Sequence, residues 1–151
     1  MENLKLMKGK VISVNVSDNK GEKKHNIDRC SLIEGHGLAT DAHAGPWHRQ
    51  VSLLAAESIE KIRKMGLDVK PGDFAENLTT VGIDLPSLAI GTRLLVAGKV
   101  LMRVTQIGKE CHTRCAIFQQ VGDCVMPTEG IFTEVVAGGD VEIGDEIEVL
   151  P

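Results

Sequence analysis

The sequence predicts a mainly β protein: a closed or nearly closed antiparallel β-barrel with one clear helix, at about 53–65, and short peripheral helices. Three observations predict it. Short runs of alternating apolar and polar residues recur along the chain, sixteen glycines supply turns between them, and one stretch alone keeps a helical period. Closing such strands into a barrel removes the exposed edges that an open sheet would leave.

The first strand is Lys10–Val16, with Ile12, Val14 and Val16 on one side and Val11, Ser13 and Asn15 on the other, the pattern of a half-buried strand. Residues 17–26 are polar around Gly21 and read as an exposed turn or hairpin tip. At Ser52, a plausible N-cap, the period changes: Leu54, Ile59, Ile62 and Met65 recur at helical spacing. Glu57 and Glu60 precede Lys61, Arg63 and Lys64, an order that suits the helix dipole, and Gly66 is placed to end the helix in the left-handed conformation. Leu94–Ala97 and Val100–Val104 flank Gly98–Lys99 and form a hairpin with Gly at the first central position of a type II′ turn. Phe132–Val136, Val141–Ile143 and Glu146–Val149 alternate again, with Gly138–Gly139 and Gly144–Asp145 as the turns between them.

With 151 residues, 42% hydrophobic and 25% charged, the chain has the composition of one globular domain rather than of a disordered one. No linker, low-complexity run or repeat divides it, so residues 1–151 read as a single domain. A net charge of −4 argues against a nucleic-acid surface. No apolar run is long enough for a membrane span, and the first residues do not resemble a signal peptide, which makes the expected location cytoplasmic. Four cysteines are too few for a disulfide scaffold and are expected as thiols or metal ligands.

Three segments can carry chemistry. In Gly108-Lys109-Glu110-Cys111-His112-Thr113-Arg114-Cys115, followed by Cys124, thiols lie among fixed cations that favour the thiolate, the nucleophilic and metal-binding form. Cys111 and Cys115 are therefore candidates for activated thiols, while the same cysteines with His112 offer zinc ligands in a pattern that lacks a C-x2-C pair. Cys30 fits a buried small hydrophobe. In the glycine-rich loop 35–50, imidazoles and a guanidinium can converge on an anionic group; His43, His48 and Arg49 are the candidates, and a self-satisfied structural turn is the alternative. In Phe74-Ala75-Glu76-Asn77-Leu78, Phe74 and Leu78 anchor the core, leaving Glu76 and Asn77 either to meet a ligand or to satisfy buried backbone groups. There is no P-loop, no hydrolase elbow and no His-Glu-x-x-His motif.

Taken together, these segments resemble the MOSC family, the module found at the C-terminus of molybdenum-cofactor sulfurases. Gly35–Gly45 looks like its GD-x-H-x-G region, Phe74–Thr79 like F-x-E-N-L, Gly108–Cys111 like G-K-P-C, and Glu129–Asp145 like its closing G-x-F…G-G-x-V-x-x-G-D strands. Thr40 stands where the first pattern usually has Gly, and Glu110 where the thiol motif usually has Pro; the latter adds a charge that opposes thiolate formation.

The resemblance implies a β-barrel whose principal cysteine either carries sulfur as a persulfide or ligates molybdenum of bound molybdopterin. Cys111 matches the thiol motif and is the implied metal ligand; Arg114–Cys115 matches instead the Arg-Cys pair of relatives that reduce N-hydroxylated compounds. His43, His48, Arg49, Asn77, His112 and Arg114 are the implied cofactor contacts. The implied role is cofactor binding and carriage, with molybdenum-dependent reduction of N-hydroxylated compounds as the alternative. Expected partners are a cysteine desulfurase, which would hold the pyridoxal phosphate for which this chain shows no site, or other proteins of cofactor biosynthesis, and a molybdoenzyme acceptor.

Overall fold

The computed structural model describes residues 7–19, 24–42, 44–108 and 129–151. Its strands are β1 (Lys8–Val16), β2 (His25–Ile27), β3 (Arg29–Ile33), β4 (Gly37–Leu38), β5 (Val51–Ala55), β6 (Leu78–Val81), β7 (Arg93–Val96), β8 (Val100–Ile107), β9 (Ile131–Ala137), β10 (Gly139–Glu142) and β11 (Glu146–Val149), with one helix, α1 (Ala56–Lys64), and a 3-10 turn at Leu85–Ser87. Seven strands close into a barrel in the order β11-β7-β8-β9-β5-β6-β1, the ring being completed where β1 pairs with β11. β2 pairs with β1 beside the barrel, and β10, β3 and β4 form a separate sheet. Alternating apolar residues thus yield the expected barrel, with one departure from antiparallel pairing. β5 and β6 run parallel because α1 and the chain after it carry the backbone back to the end where β5 began.

The interior is packed by residues such as Val11, Val14, Leu53, Leu78, Leu94, Met102, Val104, Ile131 and Ile147. A second cluster lies where α1 meets the barrel: Leu54, Ile59, Ile62, Val69, Phe74 and Phe132. Burying Ile59 and Ile62 of α1 among the other four is what holds a helix of nine residues, which would be marginal on its own.

Four local expectations are corrected. β1 is not a strand with one buried face: its register shifts between Val11 and Ser13, so Val11 turns into the core while Ile12 is exposed. A bulge of this kind resets the alternation that the sequence pattern assumes. The polar segment after β1 is not wholly exposed either, since Ser17 and Lys24 are buried. The helix begins at Ala56, not at about 53, because Ser52 to Ala55 continue β5 with every residue buried; Ser52 therefore caps nothing, although Gly66 does adopt the left-handed conformation at φ +96°. In the β7–β8 hairpin, Ala97 and Gly98 both have positive φ and the Lys99 N–H donates to the Val96 carbonyl, which is a type I′ turn one residue earlier than the expected type II′.

Candidate functional site

Two of the three segments singled out in the sequence meet in one buried polar network. Asn77, just before β6, is 1% exposed. Its carbonyl oxygen accepts from the Ser52 N–H at 2.9 Å and the Ser52 hydroxyl at 3.2 Å, while its amide nitrogen donates to the Asn15 carbonyl at 3.2 Å. The Asn15 side chain in turn donates to the Glu76 carbonyl and the Thr79 hydroxyl. This is the arrangement in which Asn77 satisfies buried backbone groups, tying β1, β5 and β6 together.

From the glycine-rich loop, Asp41 enters the same region. Its carboxylate accepts from Lys24 Nζ at 2.7 Å and from the Ser17 N–H at 3.1 Å, with the Lys24 and Asp41 side chains 1% and 0% exposed. Burial alone would raise the Asp41 pKa, but the hydrogen bonds from Lys24 and Asn77, the Lys24 charge and the Ser17 N–H outweigh it and hold the carboxyl below its ordinary value. Other ties fix the rest of the loop: the Ala42 N–H to the Ser17 carbonyl, the Gly45 N–H to the His36 carbonyl, and the Gln50 side chain accepting from the Val135 N–H.

That loop delivers His48 and Arg49 to the outer face of β8 and β9. Gln106 Oε1 lies 3.0 Å from His48 Nε2 and accepts from Arg49 Nε at 3.0 Å, so one oxygen meets both side chains. The Arg49 guanidinium carbon sits 5.1 Å from the centroid of the Phe132 ring, an attractive cation–π contact. The Thr105 hydroxyl bonds the His48 carbonyl and fastens the backbone of the pair to β8. His48 is exposed and Arg49 half-buried. Among the described residues no hydrogen-bond partner reaches the two terminal nitrogens of Arg49. A guanidinium held by Nε and stacked on a ring keeps that outer edge for an oxyanion.

His43, Cys111, His112, Arg114, Cys115 and Cys124 lie outside the described residues. The described chain on either side of the thiol segment is joined at its base, where the Gly108 N–H donates to the Gly130 carbonyl at 2.6 Å. Gln106 Nε2 donates to the Gly108 carbonyl at 2.7 Å, so His48 and Arg49 sit beside the backbone that leads into that segment. On the returning side, Glu129 Oε1 accepts from the Ser58 hydroxyl at 2.6 Å and Lys61 Nζ at 2.9 Å. Burial raises the Glu129 pKa less than these two donors and the Lys61 charge lower it, leaving the carboxyl below its ordinary value.

A cleft of about 330 Å³ runs between α1 and the turn at 82–86, lined among others by Glu57, Ser58, Lys61, Asp84 and Glu129. None of His48, Arg49 and Asn77 lines it. Among the described residues no cluster of His, Cys, Asp or Glu is arranged to hold a metal. Cys30 is 8% exposed, as a small buried hydrophobe would be.

Gln106, Lys24 and Phe132 were not legible as site residues. Gln106 had one signal, a neutral polar side chain two residues before the glycine that opens the thiol motif; Lys24 had none, standing in a run of surface-like charges.

A family model described as the MOSC domain matches residues 40–148. No curated protein matches the chain. Among solved structures, the YuaD protein of Bacillus subtilis superposes with a TM-score of 0.78 at 23% identity, over 95% of this chain and 96% of that one. YiiM of Geobacillus stearothermophilus gives 0.69 at 17% identity, over 95% and 75% of the two chains. YiiM of Escherichia coli gives 0.67 at 22%, over 96% and 70%. At these identities the structural likeness is one of fold.

Proposed function

The chain belongs to the MOSC domain family, a molybdenum-cofactor-related family, and from that premise we propose that it binds and carries cofactor or its sulfur through a reactive cysteine. The observation that carries the reading is the gathering of His48 and Arg49 on Gln106, beside the backbone that leads into the thiol segment. Two residues, Lys109 and Glu110, separate Cys111 from Gly108, three chain steps that span at most about 11 Å. The donor chemistry fits the implied group in two parts. A guanidinium with a free edge suits the phosphate of a pterin cofactor, and a thiol suits molybdenum or sulfane sulfur, which are soft partners.

In this reading Arg49 and His48 hold the anionic end and Cys111 is the molybdenum ligand or sulfur carrier, with Cys115 the second thiol and His43, His112 and Arg114 further contacts. Bound molybdenum would supply oxygen-atom or sulfur chemistry; the chain's own part is to orient the ligand and to stabilise a thiolate. Asn77 acts from behind, fixing Ser52 in β5, three residues after Arg49. A cysteine desulfurase or other biosynthetic protein would load the thiol, and a molybdoenzyme in the cytoplasm would receive the product. Among the described residues no helix is long and apolar enough to cross a membrane.

The test is elemental analysis with pterin fluorescence on the unmodified protein and on Cys111→Ala, Cys115→Ala and Arg49→Ala, all purified from a cofactor-producing host. Pterin with molybdenum, or sulfane sulfur alone, is expected to follow Cys111, and pterin to fall in Arg49→Ala. If the unmodified protein and all three variants carry equal amounts, or none, the reading fails.

A further inference from the structure

The outer face of the β7–β8 hairpin carries a pattern that closure of the barrel does not require. Leu94, Val96, Val100 and Met102 fill the interior at 0% exposure, so the alternate residues Arg93, Leu95, Leu101 and Arg103 point outward. The register sets like against like, Arg93 opposite Arg103 and Leu95 opposite Leu101. Like charges directly opposed across two strands are destabilising. Glu134, opposite Arg103 on β9, binds that guanidinium at 2.7 Å. Arg93 is exposed and has no hydrogen-bond or ion-pair partner among the described residues. The carboxylates of neighbouring β11 are matched elsewhere, since Glu146 and Glu148 stand opposite Lys10 and Lys8 of β1. Arg49 lies over Phe132, two residues from Glu134 along β9, and adds a further positive charge about 7 Å along the same face. Three arginines thus share one carboxylate there, on a chain whose net charge is −4. Beside them the leucine pair is only half-buried, and the register shift between Leu101 and Met102 leaves Val136 of β9 40% exposed.

We propose that this face docks an acidic segment of a partner protein, one whose carboxylates flank aliphatic side chains. Charge complementarity selects the occupant. A guanidinium fork without a partner takes a carboxylate in a bidentate contact, and a carboxylate placed at Arg93 also relieves its repulsion with Arg103. Leu95, Leu101 and Val136 supply an apolar strip beside that contact, and arginine next to apolar side chains is the composition of protein interfaces. The strip is aliphatic and offers no ring on which a base could stack, so a protein suits it better than a nucleic acid. The inference stands apart from the anion-site reading above, because the contact it needs is Arg93 with the leucine strip and not the outer edge of Arg49. A partner seated there lies one or two strands from Gln106, beside the candidate site and not over it.

The experiment titrates the full chain with a soluble peptide of glutamates interspersed with leucines, following backbone amide, Arg Nε–H and methyl signals by nuclear magnetic resonance at two salt concentrations. A peptide with lysine in place of each glutamate, a single-stranded oligonucleotide and inorganic phosphate are titrated in parallel. The acidic peptide is expected to shift the Arg93 Nε–H and the methyls of Leu95, Leu101 and Val136, and to bind more weakly at high salt. Arg93→Glu should weaken binding about fivefold or more, and Arg93→Gln by less. Lys64→Glu, which makes the same change in net charge at an exposed position on α1, should weaken it less than about twofold. Arg93 is exposed, so its variants are expected to keep the fold, and thermal melting checks this. Absence of shifts on this face with the acidic peptide overturns the proposal, as do equal losses in Arg93→Glu and Lys64→Glu. Equal binding of the lysine peptide or of the oligonucleotide to the same residues overturns it too. The same Arg93 and methyl shifts with phosphate alone would make the face a small-anion site and overturn the docking role; phosphate shifts confined to Arg49 bear on the anion-site reading and leave the docking role standing.

Discussion

Glu76 is 0% exposed, its Oε2 accepts from the Thr79 hydroxyl at 2.7 Å, and its Oε1 has no hydrogen-bond partner among the described residues. Burial raises its pKa, and the donors that oppose this, the Thr79 hydroxyl and nearby backbone groups, do not offset it. The folded state therefore holds a proton that the unfolded chain has already released once pH exceeds the ordinary carboxyl value. Stability then falls as pH rises from that value through the raised folded one. Glu76→Gln removes the titration while keeping the shape, so its stability should decline less over that window than that of the unmodified protein. Urea denaturation at a series of pH values checks this, and parallel slopes for the two proteins would refute it. The flanking Phe74 and Leu78 were legible in the sequence as core anchors, and both are buried. What Glu76 and Asn77 do between them was not, because their partners Asn15 and Ser52 are distant in sequence and local pattern carries no record of them.

At the scale of elements, the chain was misread where a tertiary contact decided the outcome and at the β7–β8 turn, where the non-glycine Ala97 takes a positive φ. The C-terminal strands and the left-handed Gly66 follow from alternation and from the conformational freedom of glycine. The bulge in β1 arises instead in its pairing with β6, and the late start of α1 reflects β5 being buried on both faces, which makes Ser52 to Ala55 read equally well as the first turn of a helix. The loop before β5 is irregular but tightly seated. Gly37, at φ +119°, brings its α-carbon so near that an added β-carbon would lie 2.5 Å from the Gln50 carbonyl oxygen. Gly37→Ala should therefore cost about 1–3 kcal/mol through backbone strain, with further loss from the clash, and should displace Arg49 one residue away. Chemical denaturation together with the chemical shift of the Arg49 Nε–H checks it; an unchanged midpoint and an unchanged signal would show that the loop is not held by this contact.

For the whole molecule, closure decides where the motifs meet. β5 lies between β6 and β9, and β8 pairs with β9, so Ser52, Phe132 and Gln106 fall in register across three neighbouring strands. Segments far apart in the chain are thereby aligned: Asn77 behind Ser52, Arg49 over Phe132, and the base of the thiol segment at Gly108 and Gly130. The ring exists only because β11, the last strand, pairs on one side with β7 and on the other with β1. Ile147 is 0% exposed between them and faces both Val96 and Gly9 in the two registers. A strand paired on both edges with its apolar residues buried can open only when the barrel does. Amides of β11 that face β1 and β7 should accordingly exchange with solvent as slowly as those at the centre of β8. Native-state hydrogen exchange resolves the two strands. Markedly faster exchange in β11 would mean that it opens independently, so that the barrel is an open sheet with a loose seam rather than a closed ring.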